Sequence, residues 1–417
     1  MSHGPKIRAL YRWALAVCVA LTASPCHGQT PLELSTAGAS LALSHGVEAV
    51  FANPAHLGLQ DETGVEWRLV SVGGGVHSNA FSLNDYRRYN GATFTTDDKD
   101  AILAKVPGEG WAFSGEGSVS ALALRVGSWG FAVQGLGTGR GRVDRDAVEL
   151  ALYGNAVQPA WKFDNSLAEG LGTAVASLSY GRAIAHTAGG PISVGVTASY
   201  VRGLYLVRSG EMSADLLTST DGLTGQAYGE VITATGGNGM AVGIGAAWEP
   251  SAQWLVSFTC DNLYHNVRWT RDVERTEYRL TFENVTVDNF EDSLWQSDET
   301  KEELGRFSQG LPPRLRAGAA WDLGSTRFGV EGSVWTRERF GTSTTPQFSA
   351  ACEHTLLRFL PVRAGVSVGG ASDWGVGAGT GLHLGGFHWD FGFRVDRGLW
   401  IGSAPGVSAA SAIDVTF

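Results

Sequence analysis

Hydrophobic residues recur at every second position over most of this chain. In Gly386–Asp396, GFHWDFGFRVD, Phe387, Trp389, Phe391, Phe393 and Val395 fall on one face, while His388, Asp390, Gly392, Arg394 and Asp396 fall on the other. A two-residue period is that of a β-strand. From Gly64 onward the same alternation predicts a first strand, where Val65, Trp67 and Leu69 alternate with Glu66 and Arg68, and then strands at Ser118–Val126, Trp129–Gly137, Thr173–Ile184, Ile192–Leu206, Gly239–Trp248, Gln253–Cys260, Arg314–Leu323, Arg327–Trp335, Gln347–His354, Val362–Gly370, Trp374–Leu384, Phe387–Asp396 and Ser411–Phe417. Along Ile192–Leu206, Ile192, Val194, Val196, Ala198 and Tyr200 face one way. Ser193, Gly195, Thr197, Ser199 and Arg202 oppose them, with Val201 as an exception.

The connections have a rhythm. Tight turns are predicted at Gly127-Ser128, Gly189-Gly190-Pro191, Glu249-Pro250-Ser251, Gly324-Ser325 and Gly385-Gly386. Between them lie long segments read as loops: Ser78–Gly117, Thr138–Gly172, Val207–Asn238 and Asp261–Pro312. The first holds a predicted helix over Thr96–Val106, with Asp97 or Asp98 as cap and Ile102, Leu103 and Val106 on one face. The last holds a predicted hairpin of Glu277–Phe282 with Val285–Val287, and from Arg271 to Glu303 it carries 11 acids against four bases. That stretch reads as a solvated loop, with divalent-cation or protein binding as the functional alternative.

About 14 strands, many near 10 residues long, with short turns at one end and long loops at the other, fit an all-β, transmembrane antiparallel barrel. Hydrocarbon offers no hydrogen-bond partners, so the sheet must close on itself. Trp129, Trp248, Trp321, Trp335, Trp374 and Trp400 stand near strand ends, where interfacial girdles are expected. An even strand number places both termini at the periplasmic side of an outer membrane.

The N-terminus agrees with that compartment. Lys6, Arg8 and Arg12 precede the apolar run Trp13–Ser24, which reads as a secretory signal peptide over residues 1–28. Its removal takes the net charge from −10 to −13, because it carries three bases and no acids. Residues 29–60 form a second unit, small-residue-rich and without alternation. Residues 61–417 are the barrel.

That second unit carries a resemblance. Gly38-Ala39-Ser40, Val47–Phe51 and Asn53-Pro54-Ala55-His56-Leu57 resemble the start of the mature chain in FadL-like outer-membrane barrels, which read G-A and then A-x-F-x-N-P-A-x-L. Three further blocks, Asp97–Val106 with Ser114–Gln134, Val267–Asn289, and Leu311–Leu323 with Leu360–Trp400, are similar to an uncharacterised subgroup of FadL/PorV-like proteins. The resemblance implies that Leu32–Gln60 enters the lumen as a plug, with Gly38, Phe51, Asn53, Pro54, Ala55 and Leu57 as its gate residues. It implies a barrel passing small, mostly hydrophobic solutes. The alternative is a PorV-like scaffold or secretion-associated barrel that binds partner proteins. The terminal Phe417 resembles the signal read by the barrel assembly machinery. Outer-membrane lipids, lipopolysaccharide and a hydrophobic small molecule are the other partners expected.

Composition narrows the remaining choices. Glycine is 57 of 417 residues, well above the usual ~7%, and suits turns and crowded interiors. The acidic balance argues against a nucleic-acid partner. No HExxH, Walker or dinucleotide motif occurs, and no metal or cofactor is expected. His388 and Asp390 share a face and invite a dyad reading, but no serine partner can be named, and a non-enzymatic role is expected. Arg314, Arg316, Asp322, Glu331, Arg363, His388, Asp390, Arg394 and Asp396 alternate out of the apolar faces and are predicted to line the lumen as ion pairs. Cys260 and Cys352 fall on apolar faces, which predicts two lipid-facing free thiols.

Overall fold

The computed structural model describes residues 29–60, 64–155, 157–286 and 295–417; the expected signal peptide lies outside them. In chain order the wall strands are β1 (Val65–Ser78), β2 (Trp111–Val126), β3 (Trp129–Val143), β5 (Leu167–His186), β6 (Pro191–Ser219), β7 (Gly222–Ser251), β8 (Trp254–Val285), β11 (Arg314–Asp322), β12 (Thr326–Trp335), β13 (Gln347–Leu357), β14 (Leu360–Gly369), β15 (Trp374–Leu384), β16 (Phe387–Asp396) and β17 (Gly406–Thr416). They form a closed 14-strand antiparallel barrel. Closure is direct: Val415 of β17 stands opposite both Phe387 of β16 and Trp67 of β1. The amide of Phe417 donates to the carbonyl of Val65 at 3.0 Å. Closure leaves no open sheet edge whose N–H and C=O groups would meet lipid.

Three strands are far longer than a membrane requires. β6, β7 and β8 have 29, 30 and 32 residues, whereas a tilted crossing needs about 9–11. They continue past the barrel as a projecting sheet, joined by the short β4 (Ala160–Phe163) on β6 and by β9 (Trp295–Glu303) on β8. The segment Val207–Asn238, predicted as a loop, is therefore a continuous hairpin turning at Ser219–Gly222. The predicted loop Asp261–Pro312 is largely strand as well. Its hairpin pairs Glu274–Phe282 with Trp295–Glu303 instead of with Val285–Val287; Val285 ends β8 and Val287 lies outside the described residues. β9 is exposed along almost its whole length and has no apolar alternation.

The other connections follow the predicted rhythm. Val126 faces Trp129 across Gly127-Ser128, and Leu384 faces Phe387 across Gly385-Gly386. The turn predicted at Glu249-Pro250-Ser251 lies slightly later, with Ser251 facing Trp254. The predicted helix spans Thr96–Lys105, but its N-cap is Thr95. Asp98 completes a capping box by accepting from Thr95, and those hydrogen bonds, with Arg88, hold its carboxyl below the ordinary value.

Polarity is inverted relative to a soluble sheet. Phe348, Val330, Val366, Val368, Leu178 and Trp389 are all at least half exposed on the outer wall, an apolar band suited to lipid. Trp129, Trp248, Trp254 and Trp321 gather at the short-turn end, where the rings of Trp254 and Trp321 stack at 5.8 Å. Two outward assignments change. Val395, flanked by Val376 and Val407, is buried at 3% exposure. Cys260 is buried and only Cys352 is partly exposed, although both thiols are free.

The core is the lumen, filled by Gln29–Gln60. This segment packs a helix (Pro31–Ser35) against β15, β16 and β17 and a turn of 3-10 helix (Pro54–Gly58) against β5, β6 and β7. Wall glycines make this contact possible. A Cβ on Gly365 would lie 2.3 Å from the backbone of Thr36, one on Gly392 2.1 Å from the Pro31 carbonyl, and one on Gly195 2.3 Å from Pro54. Replacing Gly365 by Ala is expected to lower stability by about 1–3 kcal/mol through overpacking. Gly135→Ala, which meets nothing within 4 Å, should be neutral or stabilising. Urea unfolding in lipid vesicles followed by tryptophan fluorescence separates the two. A membrane-soluble maleimide should label Cys352 well before Cys260, read by intact mass over time.

Candidate functional site

The plug is held by its own polar groups and by wall side chains reaching inward. Asn53, Pro54 and Ala55 act together. The Asn53 side-chain oxygen accepts from the Ala55 amide at 3.0 Å and caps the Pro54–Gly58 turn, while its Nδ2 donates to the Ala246 carbonyl of β7 at 3.2 Å. The Ser193 hydroxyl of β6 donates to the Ala55 carbonyl at 2.7 Å. Leu57 is fully buried with Val47 and Val50 against Ala123 and Ala132. Gly38 sits at φ +99, a conformation that favours glycine, beside Gln347. Phe51 lies under the Arg68 guanidinium at 5.1 Å. The carbonyl of Ala37 collects donors from Ser349, Gln347 and Arg394 at 2.9–3.3 Å.

Most predicted lumenal charges meet as pairs. Arg316 and Glu331 are 2.7 Å apart and both buried; Glu331 also accepts from the Leu41 amide of the plug at 2.8 Å, and Arg316 donates to Ser40 at 3.0 Å. Arg363 holds Asp390 at 2.6 Å, Arg394 holds Asp396 at 2.8 Å, and Arg314 reaches plug residue Glu33 at 3.7 Å. Asp322 instead stands at the rim, paired with Arg327 at 3.4 Å and half exposed. His388 does not touch Asp390. Its ring packs on His383 at 4.4 Å and contacts the Gly385 carbonyl at 3.2 Å, while His383 contacts Asp390. The residues seen in the dyad reading are therefore separate.

The sequence reading missed several groups here. Glu48, an isolated acid in an Ala-rich run, is bound by Arg68 at 2.7 Å, and Arg68 also holds Asp414. Glu66 accepts from the Val47 amide at 2.7 Å and pairs with Arg125. His77 bridges Glu116 and Asp396. Inward parity alone would have found Arg68 and Glu353; Glu353 meets Arg363 across one hairpin, but Asp414, a partner of Arg68, lies far away in sequence.

Toward the end away from the short turns, the lumen is closed by a buried apolar cluster including Val201, Leu206, Trp269, Leu311 and Phe340. Val201 thus keeps the inward parity, and Arg202 points out to bond Asn238. Phe340 enters from the loop after β12. Its amide donates to Glu169 and its carbonyl accepts from Thr138 at 3.0 and 3.1 Å.

Between this cluster and the plug lies a cavity of about 130 Å³. It is lined by plug residues Val50–Ala52 and by wall residues that include Thr173, Ser177, Asp261, Asn262 and His265. The wall beside it is discontinuous. β8 pairs with β11 as far as Asp261 opposite Arg314 and resumes at Val267 opposite Gln309 of β10 (Phe307–Gln309). The intervening chain ends in Pro312-Pro313, which carries no N–H. On the other side of β8 the register jumps from Val242 opposite Tyr264 to Ile244 opposite Cys260, a bulge in which Asn262 has φ +53. Leu311 recovers its amide bond by donating to the His265 Nδ1 at 3.2 Å.

Breaking the Arg316–Glu331 pair from one side strands a buried charge, so Arg316→Met should cost about 3–5 kcal/mol. Arg316→Met with Glu331→Leu should cost less than the single change, as read by urea midpoints of the two proteins.

Residues 224–393 match a family of unknown function, DUF5723. Among curated proteins, none matches the sequence. The fold is similar to that of the Pseudomonas putida toluene transporter TodX, with TM-score 0.52 and 10% identity over 94% of this chain and 98% of that one. The Ralstonia pickettii toluene transporter TbuX aligns at TM-score 0.49 and 13% identity over 94% and 99% of the two chains. A Pseudomonas aeruginosa FadL homologue aligns at TM-score 0.49 and 10% identity over 95% and 99%. At this identity the likeness is one of fold: a closed antiparallel β-barrel with an N-terminal helical segment.

Proposed function

We propose that the protein passes small, mostly hydrophobic solutes across the outer membrane and that its N-terminal segment gates their passage. The carrying observation is the cavity between plug and wall, next to the discontinuity in β8. Its volume, about 130 Å³, is on the scale of the roughly 150 Å³ apolar cavity that accepts benzene. The solved barrel of similar fold at TM-score 0.52 is described as a toluene transporter, which favours a solute of this size. In this reading a solute enters past Phe340, rests in the cavity, and leaves when the plug around Gly38, Phe51, Asn53, Pro54, Ala55 and Leu57 shifts.

The short-turn end, with both termini, faces the periplasm, and the projecting sheet faces lipopolysaccharide and the exterior. The exposed Phe417 is read by the assembly machinery. A scaffold reading gains no comparable support: β9 of the projecting sheet is charged and exposed, without the flat apolar surface that a protein-holding barrel would present.

The test is hydrophobic-probe uptake in liposomes and planar-bilayer conductance, comparing the mature protein with one lacking Leu32–Gln60. Opening of a stable pore or faster uptake on deletion is the expected result. If neither protein conducts or takes up probe, the transport reading is wrong.

A further inference from the structure

The cavity lining is not that of a hydrocarbon site. Asn262 lines it, and its Nδ2 is buried with no hydrogen-bond partner. The φ of +53 that the bulge imposes suits asparagine among non-glycine residues, but the conformation does not require an amide. His265 lines the same cavity. Its Nδ1 accepts from the Leu311 amide, so the neutral ring carries its proton on Nε2 and is a second donor. Across the cavity, Ser177 and Ser199 share a hydroxyl contact at 2.8 Å and add donor and acceptor capacity. Toluene would satisfy none of these groups, and a buried unpaired donor is costly.

Charge sets a second limit. Glu33, Glu48 and Asp261 line the cavity against Arg316. Arg316 is itself matched by Glu331, and the arginines behind, Arg68 and Arg314, are matched by Glu48 with Asp414 and by Glu33. Acids outnumber bases around the site, so a carboxylate meets repulsion.

We propose that the cavity is a binding site for small uncharged solutes bearing one oxygen acceptor, such as phenols and aromatic aldehydes, in preference to bare hydrocarbons and to carboxylates, with Asn262 as the group that sets this preference. The proposal rests on the transport reading and names its solute class. Four ligands of one shape test it: toluene, p-cresol, p-tolualdehyde and p-toluate. Calorimetric titration of the full mature protein in nanodiscs, corrected by empty nanodiscs for partition into lipid, gives each affinity.

The wild type should bind p-cresol and p-tolualdehyde saturably, with p-toluate weakest. Asn262→Gly removes the amide and tolerates the positive φ. It should lower the p-cresol-to-toluene affinity ratio about tenfold, ~1.4 kcal/mol. If Asn262→Gly does not fold, the wild-type series decides alone: p-tolualdehyde, an acceptor without a hydroxyl, must bind about tenfold tighter than toluene. Equal binding of toluene, or an unchanged ratio in Asn262→Gly, overturns the site assignment while liposome uptake leaves transport standing. No saturable binding of any ligand, together with no liposome uptake, overturns both.

Discussion

Hydrocarbon cannot accept or donate a hydrogen bond, and the rest of this structure depends on that fact. It forces the 14 wall strands to close, because an open edge in lipid would leave a row of unpaired amides. It also turns the sheet inside out, with Phe, Val and Trp on the outer wall and arginines and carboxylates within. The buried arginines are acceptable because each has a carboxylate to hand, as Arg316 has Glu331 and Arg363 has Asp390. Where the ladder is broken, between β8 and β11, the chain supplies substitutes: prolines that need no partner and a histidine nitrogen that accepts a stranded amide.

A lumen filled by chain faces the same requirement from the inside. The plug has little regular structure, so its backbone groups must be answered by side chains of the wall. Glu331 and Glu66 accept from the amides of Leu41 and Val47, and Ser193 and Ser349 donate to the carbonyls of Ala55 and Ala37. Such bonds require backbone to approach backbone closely. Glycines at 365, 377 and 392 leave that room, since a Cβ at each would overlap the plug main chain. The glycine excess of the composition is thus partly a record of the plug's path. The cavity is what remains where the plug and the bulged strand diverge.

The projecting sheet follows a different rule. Beyond the bilayer both faces of a strand meet water, so nothing holds an apolar side to alternate positions. Leu217–Gln226 and Trp295–Glu303 are paired strand, yet their sequence reads as loop, because β-structure there rests on cross-strand bonds from β7 and β8 to their neighbours. The helix at Thr96–Lys105 was legible because capping and a buried Ile102 are local properties.

The sequence by itself determined the barrel, most strand positions, the tight turns, the inward charges and the segment that fills the lumen. The first four follow from a two-residue period and from turn residues, and the last from the resemblance of Gly38-Ala39-Ser40 and Asn53-Pro54-Ala55 to the start of FadL-like barrels. Tertiary structure alone decided which charges pair, that His383 and not His388 meets Asp390, that Val201 joins a buried cluster closing the lumen, and that Asn262 is left with an unbonded amide beside a cavity. Those outcomes depend on register and strand curvature, which bring together residues as distant as Arg68 and Asp414. Periodicity reports which face a residue occupies, but carries no information about what stands across the lumen from it.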